Sequence, residues 1–383
     1  MEKFTIPDIW DYHKHTIYST RLVKSLTHGV NDAMNDPILF GFKSKRLGHY
    51  GRTKHEFKGP FSVLRNYRPN LCSNSPIHGM MYDTILVPTD GSEHAIRAAE
   101  HARYLARMFD STVHLVSAAD VQTAGGMFDA GGVDRQFIER IEAENERAME
   151  TTKGTLEEIE PLRTAVLRGK PADAIIEYVD KHDIDLIAMG THGRTGVSRY
   201  VMGSITEHVV RRASCPVLTV KAVEKSELAK GYEEVMIPTD GSDASSTAIN
   251  HGIEIAKQAK AHVHAVNVVD VGAITFTPDY SAPSELVKRF ETEGERATGT
   301  IADRAADAGL DVTTSVHEGL PASDLLAYAD ENDVDLITMG TTGRTGLNRY
   351  LLGSTTERVI RHAEMPVMAV NARQIMERER STS

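Results

Sequence analysis

From Thr84 onward, short runs rich in β-branched residues alternate with longer segments whose apolar positions recur at helical spacing. Thr84-Ile85-Leu86-Val87 predicts a strand. Glu93–Phe109 predicts a helix, because Ala95, Ala98, Ala99, Ala102, Leu105 and Ala106 fall on one face. A second strand at Thr112–Ala118 precedes a long helix, Val133–Glu158, with apolar points at Phe137, Ile141 and Ala148. A strand at Thr164–Leu167 and a helix at Ala172–His182 follow. Asp185–Met189 is almost continuously apolar, as a central parallel strand covered on both faces should be. A helix at Ser204–Ala213 and a strand at Val217–Val220 complete the order βαβαβαβαβ, which returns from Val235 to Val370. Such alternation predicts an α/β fold in which helices wrap an open, mostly parallel sheet. Ligands of such folds bind outside the carboxyl ends of the strands, so the segments just after strands are the ones to read.

Those segments occur twice at a constant offset of 150 residues. Asp90 recurs as Asp240, Gly190 as Gly340, Gly193 as Gly343, Gly203-Ser204 as Gly353-Ser354 and Pro216 as Pro366. An offset of domain size indicates duplication of a whole domain, since a solenoid repeats every 20 to 50 residues or so. The expected organisation is a first domain at 81–222, a charged linker at 223–233, a second domain at 234–372 and a charged tail at 373–383. The chain has 383 residues, more than one core usually serves, and 40% of them are hydrophobic, enough for two respectable cores.

Residues 1–80 have no counterpart in the repeat. They hold 12 Lys/Arg against 6 Asp/Glu, about +6, with six of the 17 His and the single Trp10. Their periodicity is poor and Gly, Pro, Asn and Ser interrupt them every few residues. The readings are a basic interaction arm, a disordered leader, or a start codon assigned too far upstream, with the protein itself beginning at Met80 or Met81. The clusters Asp11–His15 and His49, His55 lack metal-ligand spacing, and no metal residue is assigned anywhere in the chain. The remainder carries about −17 of the net −11. That acidity argues against sequence-independent nucleic-acid binding and fits a cytosolic protein of a high-salt cell, although composition does not establish the source. Two cysteines, Cys72 and Cys215, are too few for a disulfide framework, and no apolar run approaches 18 residues. A cytoplasmic protein without a membrane span is the expectation.

After the fourth strand the chain reads Gly190-Thr191-His192-Gly193-Arg194-Thr195-Gly196 and then Gly203-Ser204. The second copy reads Gly340-Thr341-Thr342-Gly343-Arg344-Thr345-Gly346 and then Gly353-Ser354. Both fit G-x2-G-x9-G-[ST]. Glycines let the backbone approach a polyphosphate and adopt positive φ, while N–H groups at the helix start and the Ser hydroxyl donate to phosphate oxygens. The plainer reading is that Gly190 ends a strand, Gly203 makes a turn and Ser204 caps its helix. Duplication at identical spacing favours the phosphate reading. The G-x4-G-K-[ST] P-loop is absent, so Arg194, Arg199, Arg344 and Arg349 are either phosphate partners or solvated loop charges. Mg²⁺ would help an acidic protein hold an anion. The first strands end Pro88-Thr89-Asp90-Gly91-Ser92 and Pro238-Thr239-Asp240-Gly241-Ser242. Asp90 and Asp240 either accept from a ribose or base group or, with the serines, cap the next helix.

On these motifs the chain resembles a tandem universal stress protein of the ATP-binding type, over about 82–221 and 232–371. Within Asp183–Val220 the two copies match at 23 of 38 positions. The resemblance implies two Rossmann-like domains of the adenine nucleotide alpha hydrolase kind, each an open five-stranded parallel sheet in order 3-2-1-4-5 flanked by helices. It implies ATP or AMP across the strand ends. Asp90 and Asp240 would meet the adenosine part and the backbone of Ala118 and Val268 the base. Gly190, Gly193, Gly203 and Ser204, with Gly340, Gly343, Gly353 and Ser354, would hold the phosphates. Ala118 departs from the more usual Val, and His192 against Thr342 is an asymmetry within the motif. Members commonly pair through their last strands, here Pro216–Val220 and Pro366–Val370, which implies an internal pseudo-two-fold pair. Association into a homodimer stays open, and Gly125–Gly132 and Thr275–Ser284 are candidate partner-facing loops.

The function expected is a nucleotide-binding stress regulator whose occupancy changes partner choice. Slow ATP hydrolysis and a ligand-independent, chaperone-like role are the alternatives. Hydrolysis would need a water-orienting residue beside the γ-phosphate in both copies, and His192 has no twin. The His-x-Gly-His signature of adenylyl-transfer enzymes is missing. Cys215 reads as a small semi-buried residue, Met339 and Met368 as core filling, and His101, His114 and His264 as structural residues without partners.

Overall fold

The computed structural model describes residues 81–119, 135–193, 202–270, 284–342, 352–372, 375, 376 and 378. Residues 1–80, with Cys72 and the histidine clusters, residues 125–132, residues 275–283 and most of 373–383 lie outside them.

The first repeat runs β1 (Thr84–Pro88), α1 (Glu93–Phe109), β2 (Thr112–Ala119), α2 (Arg135–Thr155), β3 (Leu162–Arg168), α3 (Pro171–Lys181), β4 (Leu186–Gly190), α4 (Ser204–Arg212) and β5 (Val217–Val220). The second runs β6 (Glu234–Pro238), α5 (Asp243–Ala259), β7 (His262–Asp270), α6 (Ser284–Asp307), β8 (Val312–Gly319), α7 (Pro321–Glu331), β9 (Leu336–Gly340), α8 (Ser354–His362) and β10 (Val367–Val370). Within each repeat the strands are parallel in order 3-2-1-4-5. β5 and β10 then join antiparallel into one ten-stranded sheet. Leu218 sits opposite Met368, its own equivalent at the 150-residue offset, so a pseudo-two-fold axis passes between them.

Side-chain alternation along the strands divides the core in two. Ile85 and Val87 face the layer covered by α1 and α5, whereas Leu86 faces the layer of α3, α4, α7 and α8. Each layer draws residues from both repeats, so burial is continuous across the β5–β10 seam. Met339, Met368 and Cys215 are all core residues. Burial pushes the Cys215 thiol well above its ordinary pKa, as suits an inert packing residue. The β3 strand is longer than its sequence suggests. It is a half-exposed edge strand, and its outward Arg163, Thr164 and Arg168 weaken the apolar signal.

The histidines correct the expectation that they lack partners. Tyr82 Oη lies 2.7 Å from Nδ1 of His251, and Tyr232 Oη lies 2.9 Å from Nδ1 of His101. These two pairs are images of one another at the 150-residue offset, and each crosses from one repeat to the other. The His101 Nε2 donates to the Ser226 carbonyl at 2.9 Å, which leaves its Nδ1 to accept from the Tyr232 hydroxyl. Both tyrosines are fully buried. Segment 223–233 is thus packed, with Ser226 and Tyr232 inside. His114 Nδ1 and His264 Nδ1 contact the hydroxyls of Tyr178 and Tyr328, at 3.0 and 2.9 Å. Each of the three histidines has a partner, because tyrosines at equivalent positions in the two repeats reach them.

Candidate functional site

At the carboxyl end of β1 the chain must turn sharply into α1. Gly91 and Gly241, both at φ 75°, make that turn in a conformation that only glycine adopts freely. The turn is tightened by its own side chains. Asp90 Oδ1 accepts from the Ser92 N–H at 3.0 Å, Thr89 Oγ1 accepts from the Gly91 N–H at 3.0 Å, and Ser92 Oγ caps α1 through the Ala95 N–H. Asp240 accepts from the Ser242 N–H at 3.0 Å and from its hydroxyl at 2.6 Å. The helix-capping alternative therefore holds for Ser92, while each aspartate shapes the turn.

The glycine loop returns to the same place. A Cβ built on Gly193 would sit 2.6 Å from Asp90 Oδ2, so the loop and the aspartate, distant in sequence, are in contact. A Cβ on Gly190 would lie 2.7 Å from His94 Cβ and 2.8 Å from the His94 carbonyl carbon. Gly190 is thus what allows α1 to cross β4 closely. Gly203 and Gly353 begin α4 and α8 at φ −59° and −62°, so positive φ is not their reason for being glycine. Their N–H groups donate to the Thr191 and Thr341 carbonyls at 2.8 Å, and Cβ atoms there would lie 3.1 and 3.2 Å from those oxygens. Close approach of two backbone segments selects them. The N-caps are these glycines, so Ser204 and Ser354 are the first helical residues, exposed and without a cap role. Thr206 and Thr356 lock the arrangement by donating to the Gly190 and Gly340 carbonyls at 2.8 Å. The first-turn N–H groups of α4 and α8 lack intrahelical acceptors and carry the positive end of the helix dipole.

In the second repeat these parts surround a cavity of about 600 Å³. Asp240, Val268, Gly340, Gly353 and Ser354 all line it. Gly343, with Arg194, Arg199, Arg344 and Arg349, lies outside the described residues. The first-repeat set, Asp90, Ala118, Gly190, Gly193, Gly203 and Ser204, occupies the equivalent strand and helix ends. Ala118 and Val268 are half-exposed near the ends of β2 and β7.

The sequence reading missed Asn267 and Gly294. Asn267 Nδ2 donates to the Thr239 carbonyl at 2.7 Å, and a Cβ on Gly294 would collide with Asn267 Oδ1. A glycine inside the helical pattern of α6, at a position where the first repeat has Glu144, was the available signal. The first repeat instead places Ser117 against Asn145, with Oγ donating at 2.8 Å. It also brings the rings of His94 and His192 to 5.2 Å. Burial first, and then His192, holds the His94 pKa below its ordinary value. Its Nδ1 accepts from the Ala222 N–H at 2.9 Å, a role open only to the unprotonated nitrogen. The second repeat has Ala244 and Thr342 at these positions.

Comparison with known proteins agrees with the duplication. The universal stress protein family model matches twice, at residues 81–221 and 231–371. A universal stress protein of Methanocaldococcus jannaschii is 44% identical over 139 residues, which cover 36% of this chain and 82% of that protein. The crystal structure of a universal stress protein from Archaeoglobus fulgidus superposes with TM-score 0.56 at 20% identity, over 76% of this chain and 97% of that one. A universal stress protein solved in complex with cAMP is 27% identical, with TM-score 0.30 over 36% of this chain and 97% of that one. No helix among the described residues is long and apolar enough to cross a membrane.

Proposed function

The chain belongs to the universal stress protein family, and from that premise we propose that each of its two domains, 81–222 and 234–372, binds ATP or AMP and that occupancy alters which partner the protein engages. The observation that carries this reading is the convergence of Asp240, Val268, Gly340, Gly353 and Ser354 on one cavity of about 600 Å³. That volume lies within the roughly 300–1,000 Å³ usual for small-molecule sites. The donors suit a polyphosphate. Two helix N-termini with glycine N-caps present uncommitted N–H groups, and Ser204 and Ser354 stand beside them with exposed hydroxyls. Asp240 and Val268 lie at the ends of separate strands, where ribose and base would sit. Mg²⁺ would be held mainly by the phosphates and would offset the acidity of the chain. Each site aspartate is engaged in its own turn, which suits binding better than activation of a water.

Calorimetric titration of the full chain with Mg-ATP tests the reading. The double variant Gly203→Val with Gly353→Val should weaken binding about a hundredfold, equivalent to roughly 3 kcal/mol, with an unchanged circular dichroism spectrum. Wild-type affinity in that variant would remove the phosphate site. Each single variant should halve the stoichiometry.

A further inference from the structure

The second repeat contains a cluster that the first does not, at the opposite end of the sheet from the cavity. Glu234 opens β6 and His262 opens β7, and the two are register partners on adjacent strands. His264 lies two residues further along β7, hence on the same face as His262. Glu234 Oε2 is 2.8 Å from His262 Nδ1 and 2.7 Å from His264 Nε2. The three candidate ligand atoms all lie within 4.8 Å of one another. The ring nitrogens facing away are also engaged. His262 Nε2 is 3.0 Å from Thr313 Oγ1, and His264 Nδ1 is 2.9 Å from the Tyr328 hydroxyl. Such outer contacts fix ring orientation and tautomer in protein metal sites, where the far N–H donates to an oxygen and the near nitrogen keeps its lone pair for the ion.

Duplication supplies an internal control. At the 150-residue offset Glu234, His262, His264, Thr313 and Tyr328 correspond to Thr84, Thr112, His114, Arg163 and Tyr178. The tyrosine–histidine contact is common to both repeats, so the fold uses it in each. The carboxylate and the second imidazole are present only in the second, and the position of Arg163 there is a neutral Thr. One copy has a guanidinium at this corner, and the other has gathered a carboxylate and two imidazoles. The fold itself does not need that set, since the first repeat builds the same strands with threonines.

We propose that Glu234, His262 and His264 bind a divalent first-row transition ion, with Zn²⁺ the best fit. Two imidazole nitrogens and one carboxylate oxygen are a three-ligand set that zinc accepts while leaving a fourth position for water. Bonds of about 2.0–2.2 Å place tetrahedral ligand atoms roughly 3.3 Å apart, so the carboxylate must move outward by about half an ångström. Glu234 and His262, each about one-third exposed, have room to do so, while the buried His264 anchors the set. The ion would clip the starts of β6 and β7 together, four residues before Pro238 and two residues, roughly 7 Å, before Val266, the first cavity-lining residues on those strands.

The test uses the full chain, stripped with EDTA and titrated with ZnCl₂ by calorimetry, and with Co²⁺ as a visible-absorbing probe. The variant Glu234→Thr with His262→Thr installs the residues the first repeat carries, so it is suited to fold normally. Wild-type protein should bind one more Zn²⁺ per chain than the variant, develop Co²⁺ absorption that the variant lacks, and gain roughly 5 °C in Tm at saturating zinc. Mg-ATP binding should be equal in the two, which separates this site from the nucleotide reading. Equal zinc stoichiometry and equal Co²⁺ spectra would overturn the proposal, because the ions would then reside elsewhere, for instance on the six histidines of residues 1–80. Absence of any zinc binding would overturn it as well.

Discussion

The glycines of the repeated motif are present for different physical reasons, and substitution separates them. At Gly190 the space for a side chain is taken by His94, with both its Cβ and its backbone under 3.0 Å from the new atom. Gly190→Ala should therefore cost about 1–3 kcal/mol, read as a lower denaturation midpoint, because backbone cannot yield cheaply. Gly299, in the middle of α6, has nothing within 4 Å of its Cβ position. Gly299→Ala should stabilise by about 0.5–1 kcal/mol, through the helix propensity gained. A stabilised Gly190→Ala protein would show that α1 does not cross β4 as closely as described. The motif was legible as a duplicated glycine pattern, but not the division of labour within it. Spacing alone does not reveal that Gly190 faces a helix begun almost a hundred residues earlier, or that Gly294 makes room for Asn267.

At the scale of elements, the seam between repeats combines strand pairing with two buried tyrosine–histidine contacts. Burial lowers the pKa of both His101 and His251 to about 4. A buried neutral imidazole is protonated more readily in the unfolded chain, near its ordinary 6.5. The unfolded state then binds more protons between about pH 6.5 and pH 4, so stability falls as pH falls through that window and is complete above it. Each histidine contributes on the order of 3 kcal/mol across the window. His114, also lowered to about 4 by burial and by Arg163, adds a share within the first repeat. Thermal melts from pH 7 to pH 4 should show a steep decline in Tm for wild type. The decline should be shallower for His101→Gln with His251→Gln, and an identical slope in the two would refute the assignment. Sequence periodicity recovered the strands, the helices and their alternation, because each is encoded by local apolar spacing. It did not recover these contacts, because Tyr82 and His251 are 169 residues apart and only the three-dimensional seam joins them.

The molecule as a whole is a duplicated sheet in which symmetry is kept where packing requires it and broken where ligands would bind. Leu218 opposes Met368 on the axis, and Lys221 Nζ and Asn371 Nδ2 reach reciprocally to the carbonyls of Arg361 and Arg211, at 2.6 and 3.3 Å. Against that, Ser117–Asn145 in the first repeat takes the place of Asn267–Gly294 in the second, and His94–His192 has no counterpart, since the second repeat has Ala244 and Thr342 there. Two nucleotide sites of unequal affinity follow from this account, because these side chains differ at equivalent positions. The most direct measurement is mass spectrometry of the purified full chain under gentle conditions, with released small molecules identified after denaturation and Mg-ATP added back in excess. The account predicts adenine nucleotide rising to two per chain in two resolved steps. A chain that releases none, and takes up none on addition of Mg-ATP, would contradict it.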